Sequence, residues 1–370
     1  MGSSKRIVSL QALRGIAYTA IFLSHAYDFN GFLGSWGVSI FLVLSGFVLT
    51  YAHYYDNMKP SLKNNIHFSI QGIKKLYPLH IATMLLAALP MIRGIIVSHN
   101  INEGVLLAKK IVCDVLMIQS YIPNRSIHDA INGVSWYLSV IVLTYFLFPY
   151  LRSGIQKVQK KQKTLLVLAA IYGAYVMVSF LAGEVFVIDR IDGYQRWITY
   201  RFPPMRVFDF AVGGVLGNYF AQIQNQDKEN VNKKNGCIKY TVIEFLIIIL
   251  NIFVVALYTI SGREDATWFD RSVIFLPATS LLVFCFARNK GYITAVLTNR
   301  FIVQIGNLSG YTFLIHQVVL LYVSVFANIG FGLLNIECNF QIHVVMIFAY
   351  LISLVLGLAY KKLYERGKHV

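Results

Sequence analysis

The chain has 370 residues, of which 56% are hydrophobic and only 14% are charged. Soluble domains carry about 25% charged residues, so this composition excludes an ordinary soluble domain and predicts a polytopic membrane protein. The net charge of +16 would suggest nucleic-acid binding in a soluble protein, but cytoplasmic loops of membrane proteins also collect Lys and Arg. We therefore expect one all-α integral-membrane domain over residues 1–370, with a core at about 7–360 and no nucleic-acid partner. The four cysteines lack metal-ligand spacing, so we expect no metal site.

Ten stretches are long and apolar enough for transmembrane helices. They lie near residues 7–29, 33–55, 77–97, 134–151, 164–182, 205–222, 239–260, 271–287, 311–331 and 340–360. With the N-terminus inside the cell, 22 of the 33 Lys and Arg fall in cytoplasmic segments and 10 in outer segments. This division follows the positive-inside rule, so we expect both termini in the cytoplasm of a protein of the cell (inner) membrane.

One further apolar segment, residues 104–122, is interrupted by Lys109, Lys110 and Asp114. As an eleventh span it would invert every later loop and spoil the division of the charges. We therefore predict an amphipathic helix that lies in the outer membrane interface.

The first predicted helix carries Arg14 and His25 within its apolar run. A charge inside such a segment costs at least a few kcal/mol, so it needs a physical reason. Eleven residues are almost three helical turns, which puts both side chains on one face about 16 Å apart along the axis. Arg14, nearer the cytoplasm, either pairs with a neighbouring carboxylate or helix end, or grips the phosphate or carboxylate of a cytosolic cosubstrate.

His25 lies in the outer third of the same helix. It is either a satisfied structural residue or a general base, because imidazole titrates near neutral pH. Asp28, one turn further on, either holds the other ring nitrogen of His25 or is an ordinary loop residue. His316 enters the ninth predicted helix near its cytoplasmic side, where we expect a structural role, and Glu244 is a weaker candidate still.

Lys74 and Lys75 precede Pro78, which is tolerated in the first turn of a helix. The two lysines are either cytoplasmic anchors or they help Arg14 to hold a polyphosphate.

The stretch RFPPMRVFDFAVGGVLG, residues 201–217, begins on the outer side. Arg206 and Asp209 form an i, i+3 pair that either enters the membrane as a neutralised unit or contacts a polar acceptor. The glycines of this stretch allow close helix packing. Trp136 and Tyr137 open the fourth predicted helix at the outer interface, where aromatic side chains are enriched in any case.

Taken together and in order, these segments resemble the membrane-bound acyltransferase-3 family. LQALRGIAYTAIFLSHA matches the opening of that family, whose Arg-x10-His pattern falls on Arg14 and His25. The similarity continues through GVSIFLVLSGFVLTY, KKLYPLH, WYLSVIVLTYFLFPYL, RFPPMRVFDFAVGGVLG and GNLSGYTFLIHQ. The chain departs from the family at two motifs. Gly72 and Lys75 replace two arginines of one motif, and Ile141 and Val142 replace the paired glutamates of another.

The resemblance implies a membrane-bound O-acyltransferase that moves an acyl group, commonly acetyl, from cytosolic acetyl-CoA to a hydroxyl of a surface carbohydrate. It implies no bound cofactor, with acyl-CoA as cosubstrate, and the bilayer and a carbohydrate acceptor as partners. Arg14 would anchor the donor with Lys74 or Lys75, and His25 would act as base or acyl carrier. The residues expected to contact the acceptor are Asp28, Trp136, Arg201, Arg206 and Asp209.

Other functions stay open at this point. Intramembrane Arg and His residues also mark the proton relays and substrate paths of secondary transporters and lipid flippases. A membrane glycosyltransferase using a lipid-linked sugar would need an acidic residue in the first outer loop, where Asp28 is the only candidate. The sequence leaves the acceptor, the acyl chain length and self-association undetermined.

Overall fold

Every regular element that the computed structural model describes is a helix, as the composition predicts. The structure describes residues 7–27, 32–56, 58–188, 191–229, 237–260, 269, 272–334 and 339–367. The α-helices are α1 (Val8–Ala26), α2 (Phe32–Ala52), α3 (Leu62–Ile73), α4 (Tyr77–Ser98), α5 (Ile101–Val115), α6 (Arg125–His128), α7 (Trp136–Ile155), α8 (Lys161–Phe180), α9 (Tyr194–Arg196), α10 (Pro203–Glu229), α11 (Cys237–Ile260), α12 (Phe275–Arg288), α13 (Tyr292–Leu297), α14 (Arg300–Leu334) and α15 (Asn339–Arg366).

A helix lies at each of the ten stretches predicted from hydropathy. Within the described residues, seven helical stretches are long and apolar enough to cross a membrane: Phe32–Ala52, Tyr77–Ser98, Trp136–Ile155, Lys161–Val185, Ile238–Tyr258, Arg300–Ala327 and His343–Arg366. Of the other three predicted spans, α12 has only 14 residues, and α1 and α10 contain buried polar side chains. The count of ten spans and the cytoplasmic termini therefore stay predictions.

The helix that carries Arg14 and His25 is packed among α2, α12 and α14, and most of its side chains are buried. Its backbone meets that of α14 directly, because a Cβ added at Gly306 would overlap the carbonyl oxygen of Gln11. At its N-terminal end, Ser9 Oγ donates a hydrogen bond of 2.6 Å to the carbonyl oxygen of Phe286 on α12. These contacts fix the rotation of α1 and hence the direction of its polar side chains.

Glycines bring the backbones of α2 and α10 into close contact. Gly213 lies against the backbone of Val43, and Gly217 lies against that of Phe47, so any Cβ there would overlap main-chain atoms. The two helices run in the same direction, since the contacts advance together along both chains. Small residues permit such an approach between membrane helices. The sequence predicted this close packing for α10, but not its partner.

The ninth predicted helix begins earlier than hydropathy indicates. It was expected at 311–331, whereas α14 starts at Arg300. Polar residues such as Asn307 and Ser309 lower the hydropathy of the added turns, although they are helical. They are accommodated because they border an internal cavity instead of lipid.

The helix predicted at 104–122 is shorter in the structure, where α5 ends at Val115. Met117 takes a left-handed conformation with φ of 54°. The amide of Ile118 then bonds back to the carbonyl oxygen of Cys113 at 2.9 Å, which closes the helix end. Glycine usually occupies such a position, and its absence hides the boundary from sequence reasoning.

The path of α5 follows α4 in the opposite direction. Gly104 lies next to Ile95, and at the other end the hydroxyl of Tyr77 donates to the carbonyl oxygen of Val115 at 3.1 Å. The predicted position of this helix in the outer interface remains a prediction.

Candidate functional site

A cavity of about 220 Å³ opens beside Arg14. It is bounded by α1, α2, α7, α14 and the residues that join α3 to α4. The polar and aromatic side chains that line it are Gln11, Arg14, Phe41, Ser45, Lys75, Tyr137, Tyr145, Asn307, Ser309, Tyr311 and Phe313. A cation at the end of a partly enclosed polar space is suited to a small anionic group.

Among the residues that the structure describes, none offers Arg14 an anion in this cavity. No acidic side chain lines the space, and Arg14 Nε is buried without a hydrogen-bond partner among the described residues. No described carboxylate forms an ion pair with Arg14 either. The structural explanation, pairing with a neighbouring carboxylate, therefore lacks a partner. A guanidinium so held suits a phosphate or carboxylate from outside the chain, which can take two parallel hydrogen bonds.

Of the two lysines predicted to assist Arg14, only Lys75 lines the cavity. Tyr360 on α15 donates to the carbonyl oxygen of Lys75 at 3.0 Å, which fixes the backbone at this corner. Lys74 caps the end of α3 and is exposed. The geometry thus distinguishes two residues that the sequence could not separate.

Gly72, which replaces an arginine of the family motif, faces the ring of Tyr145. Any side chain at Gly72 would overlap that ring. Tyr145 also lines the cavity. An aromatic ring from α7 therefore fills the space next to Gly72.

His25 is paired with a second histidine, His316. His25 Nδ1 and His316 Nε2 are 3.1 Å apart, and the ring centroids are separated by 5.2 Å. His316 is fully buried on α14, whereas His25 is exposed at the end of α1. Hydropathy predicts His316 a few residues into its helix, near the cytoplasmic side; because α14 starts at Arg300, His316 lies at mid-helix, opposite the C-terminal end of α1.

The hydrogen bonds of His316 determine which ring nitrogens of the two histidines carry a proton. Its Nδ1 lies 3.2 Å from the carbonyl oxygen of Thr312, which can only accept, so this nitrogen carries the proton. In the neutral ring the Nε2 atom is then an acceptor, and Nδ1 of His25 donates to it. The basic nitrogen of neutral His25 is consequently Nε2.

The cavity and the histidine pair lie along the same two helices. Arg14 and His25 are on α1, while Asn307 at the cavity and His316 at the pair are on α14. Phe313 lies between them: it lines the cavity, and its ring centroid is 6.0 Å from that of His316.

Arg206 and Asp209 form an ion pair inside the protein. Both side chains are fully buried, with Nη2 and Oδ1 3.4 Å apart. Tyr175 Oη lies 3.4 Å from Arg206 Nη1, and Ser39 Oγ donates to Asp209 Oδ1 at 3.1 Å. Since neither side chain reaches the surface, the geometry favours the neutralised pair over contact with an acceptor.

Arg201 and Trp136 belong to a packed cluster formed by residues 125–136 and 194–201. Arg201 contacts the carboxylate of Asp129 and donates to the carbonyl oxygen of His128 at 3.4 Å. Trp136 is buried, and its ring centroid lies 4.9 Å from that of Tyr200. Both residues therefore have partners within the chain, which supports a role in holding these two segments together.

His128 lies at the centre of this cluster. Its ring stacks on that of Trp197, with the centroids 6.4 Å apart. Burial, and then the positive charge of Arg201, lower the pKa of His128 to about 4. His128 is therefore neutral at physiological pH.

Of the two remaining predicted residues, Asp28 and Glu244, the structure describes only Glu244. Asp28 lies outside the described residues, so its predicted bond to His25 stays a prediction. The carboxylate of Glu244 caps the start of α13 by accepting from the amides of Gly291 at 2.9 Å and Thr294 at 3.1 Å. Glu244 thus has a structural role.

Comparisons with known proteins show the family of the chain. A family model described as an acyltransferase domain, acyltransferase-3, matches residues 7–361. A curated relative, "Acyltransferase MdmB" from Streptomyces mycarofaciens, is 28% identical over 232 residues. That alignment covers 57% of this chain and 57% of the relative, so the chain spans somewhat more than half the length of this relative. No solved structure matches significantly.

Proposed function

Because the chain belongs to the acyltransferase-3 family, we propose that it transfers an acetyl group from cytosolic acetyl-CoA to a hydroxyl of a cell-surface or envelope carbohydrate. Acyl transfer follows from the family; the donor, the acyl group, the acceptor and the residue roles are the proposal. The observation that supports it most is that α1 holds both an arginine with no anionic partner among the described residues and a hydrogen-bonded histidine.

The cavity beside Arg14 is the proposed donor site. The guanidinium fork and the ammonium group of Lys75 would bind the phosphates of CoA, and the polar side chains of the cavity would accept the rest of the anionic head. The pantetheine arm would then extend along α1 towards His25, about 16 Å further along the axis. The negative donor therefore approaches from the side where Arg14 lies, which the loop charges predict to be cytoplasmic.

His25 is the proposed catalytic base. Its Nε2 would take the proton of the acceptor hydroxyl while that oxygen attacks the thioester carbonyl carbon. The C–S bond then breaks, the ester is formed, and the CoA thiolate leaves to be protonated. His316 would accept from Nδ1 throughout and stabilise the imidazolium that forms. Alternatively His25 carries the acyl group before passing it to the acceptor.

The acceptor would approach the exposed face of His25 from the outer side. Arg201, Trp136 and the pair Arg206–Asp209 would act there indirectly, by holding the outer segments and α10 in place. Direct contact between Asp28 and the acceptor stays part of the proposal. The family assignment favours acyl transfer over a transporter, for which Arg14 and His25 would line a substrate path.

The experiment uses the purified full chain in lipid vesicles with acetyl-CoA labelled in the acetyl group and cell-envelope glycan. We expect label on the glycan with wild type, and none with His25→Ala at equal insertion into the membrane. His67→Ala, a change at an exposed histidine on α3, is the control and should retain activity. Wild-type protein that leaves the glycan unlabelled would overturn the proposal.

The same assay separates the two roles of His25. In the absence of acceptor, an acyl-histidine would leave label on the protein in proportion to the enzyme, and direct transfer would leave none. Full activity of His25→Ala would remove this residue from the mechanism while leaving the donor assignment to be tested at Arg14.

A further inference from the structure

An apolar groove of about 470 Å³ lies between α8, α10 and α12, away from the cavity beside Arg14. Val212 and Leu216 of α10 line it, whereas the neighbouring Gly213 and Gly217 face α2. No residue borders both the groove and the Arg14 cavity. The groove is therefore a feature separate from the Arg14 cavity.

The groove combines an apolar interior with a cationic end. Leu165, Leu168 and Ala169 of α8 form one wall, and Lys161 at the first residue of that helix is the one charged side chain in the lining. Three more lysines, Lys157, Lys160 and Lys163, belong to the segment that precedes and begins α8. A ligand with an apolar tail and a negative head matches this division.

The length of the groove matches one leaflet of a membrane. From Lys161 to Tyr172, both in the lining, α8 rises through eleven residues, or about 16 Å. The hydrocarbon core of a bilayer is about 30 Å thick, so half of it is nearly the same length. The loop charges put Lys161 at the cytoplasmic surface.

We propose that this groove binds one acyl chain of an anionic phospholipid from the cytoplasmic leaflet, with the phosphate of its head group at Lys161. The apolar walls take the chain, and the lysines around Lys161 select for net negative charge. Each lysine near the surface favours an anionic lipid about fivefold. The site is independent of the proposed acyl transfer, since it shares no residue with it.

The test measures lipid retention and thermal stability of the full chain with phosphatidylglycerol or phosphatidylcholine of identical acyl chains. We expect about one retained phosphatidylglycerol per chain by native mass spectrometry, and an affinity about fivefold or more above that for phosphatidylcholine. Lys161→Gln should reduce this preference several-fold. Ala169→Trp, which fills the groove, should abolish retention of both lipids.

Matched controls use positions outside the lining. Lys63→Gln alters an exposed lysine on α3, and Ala170→Trp alters the residue next to Ala169 on α8; both should retain wild-type lipid binding. If Ala169→Trp does not fold, Lys161→Gln alone decides. Equal affinity for the two lipids in wild type, or an unchanged preference in Lys161→Gln, would overturn the proposal.

Discussion

Replacing Arg14 by Gln should weaken donor binding and stabilise the empty protein. The guanidinium lies at a cavity without an acidic side chain, and its Nε has no partner among the described residues. A hydrogen bond to a charged group contributes about 1.5–3 kcal/mol, so loss of the fork should reduce affinity for acetyl-CoA by about 10- to 150-fold. Arg14→Lys retains the charge but not the fork, and should fall between wild type and Arg14→Gln.

The stability of the empty protein should change in the opposite direction. The Arg14 side chain is partly exposed, but its Nε is buried without a partner among the described residues, and a buried charged donor that has lost water without a compensating interaction is destabilising. Removing the charge at Arg14 should therefore raise the free energy of unfolding by about 1 kcal/mol or more. Binding of a non-transferable CoA thioester, followed by calorimetry, and thermal unfolding in detergent without ligand measure the two effects on one preparation.

Arg152 provides a matched control on α7. It is buried like a structural arginine and donates to the carbonyl oxygens of His53 and Tyr54. Arg152→Gln should therefore lower stability and leave donor affinity unchanged. If Arg14→Gln behaves in the same way, with lower stability and normal donor binding, the reasoning about Arg14 is refuted.

Three further predictions follow from contacts elsewhere in the structure. His316→Phe should lower the rate of acyl transfer about tenfold or more and shift its pH profile, because His25 Nδ1 loses its acceptor. His316→Gln, whose amide oxygen can accept, should recover part of the rate. Identical pH profiles for wild type and both variants would contradict this role of His316. The free energy of unfolding should fall by about 2 kcal/mol between pH 7 and pH 5. His128, with a pKa of about 4, stays neutral in the folded chain, whereas it gains a proton in the unfolded chain below pH 6.5. Thermal unfolding of His128→Phe should lack this component, and an unchanged pH dependence would exclude His128 as its source. Gly213→Ala should destabilise the protein by about 1–3 kcal/mol because its Cβ would overlap the backbone of Val43. Gly173→Ala on α8, whose Cβ would have no atom within 4 Å, should be neutral or stabilising. Equal unfolding midpoints for the two variants would show that α2 and α10 can separate freely.

Hydropathy predicted the helices well because a segment that spans lipid must be predominantly apolar along its whole length. It failed where helices meet protein instead of lipid. The first turns of α14 contain Asn307 and Ser309, whose polar side chains border a cavity. Hydropathy alone therefore predicts a loop at these turns. The end of α5 was missed for a different reason, because Met117 occupies a left-handed position that glycine usually signals.

At the site, sequence spacing predicted what a single helix determines, namely that Arg14 and His25 share a face. It could not predict contacts between distant segments. His316 lies 291 residues from His25 in the chain, and its depth depends on where α14 begins. Which of Lys74 and Lys75 borders the Arg14 cavity likewise depends on the conformation of the turn between α3 and α4. The periodicity of the two helices does not specify that turn.

The close contact between α1 and α14 connects the two parts of the site. Because the backbones meet at Gln11 and Gly306, one helix cannot slide along the other without collision. The same register that puts Asn307 beside the Arg14 cavity also puts His316 within hydrogen-bond distance of His25. A donor held by its phosphates at Arg14 would therefore meet the basic nitrogen of His25 at a fixed distance. Such fixed geometry lowers the entropic barrier to transfer, and it explains why two costly polar side chains are kept on one buried helix.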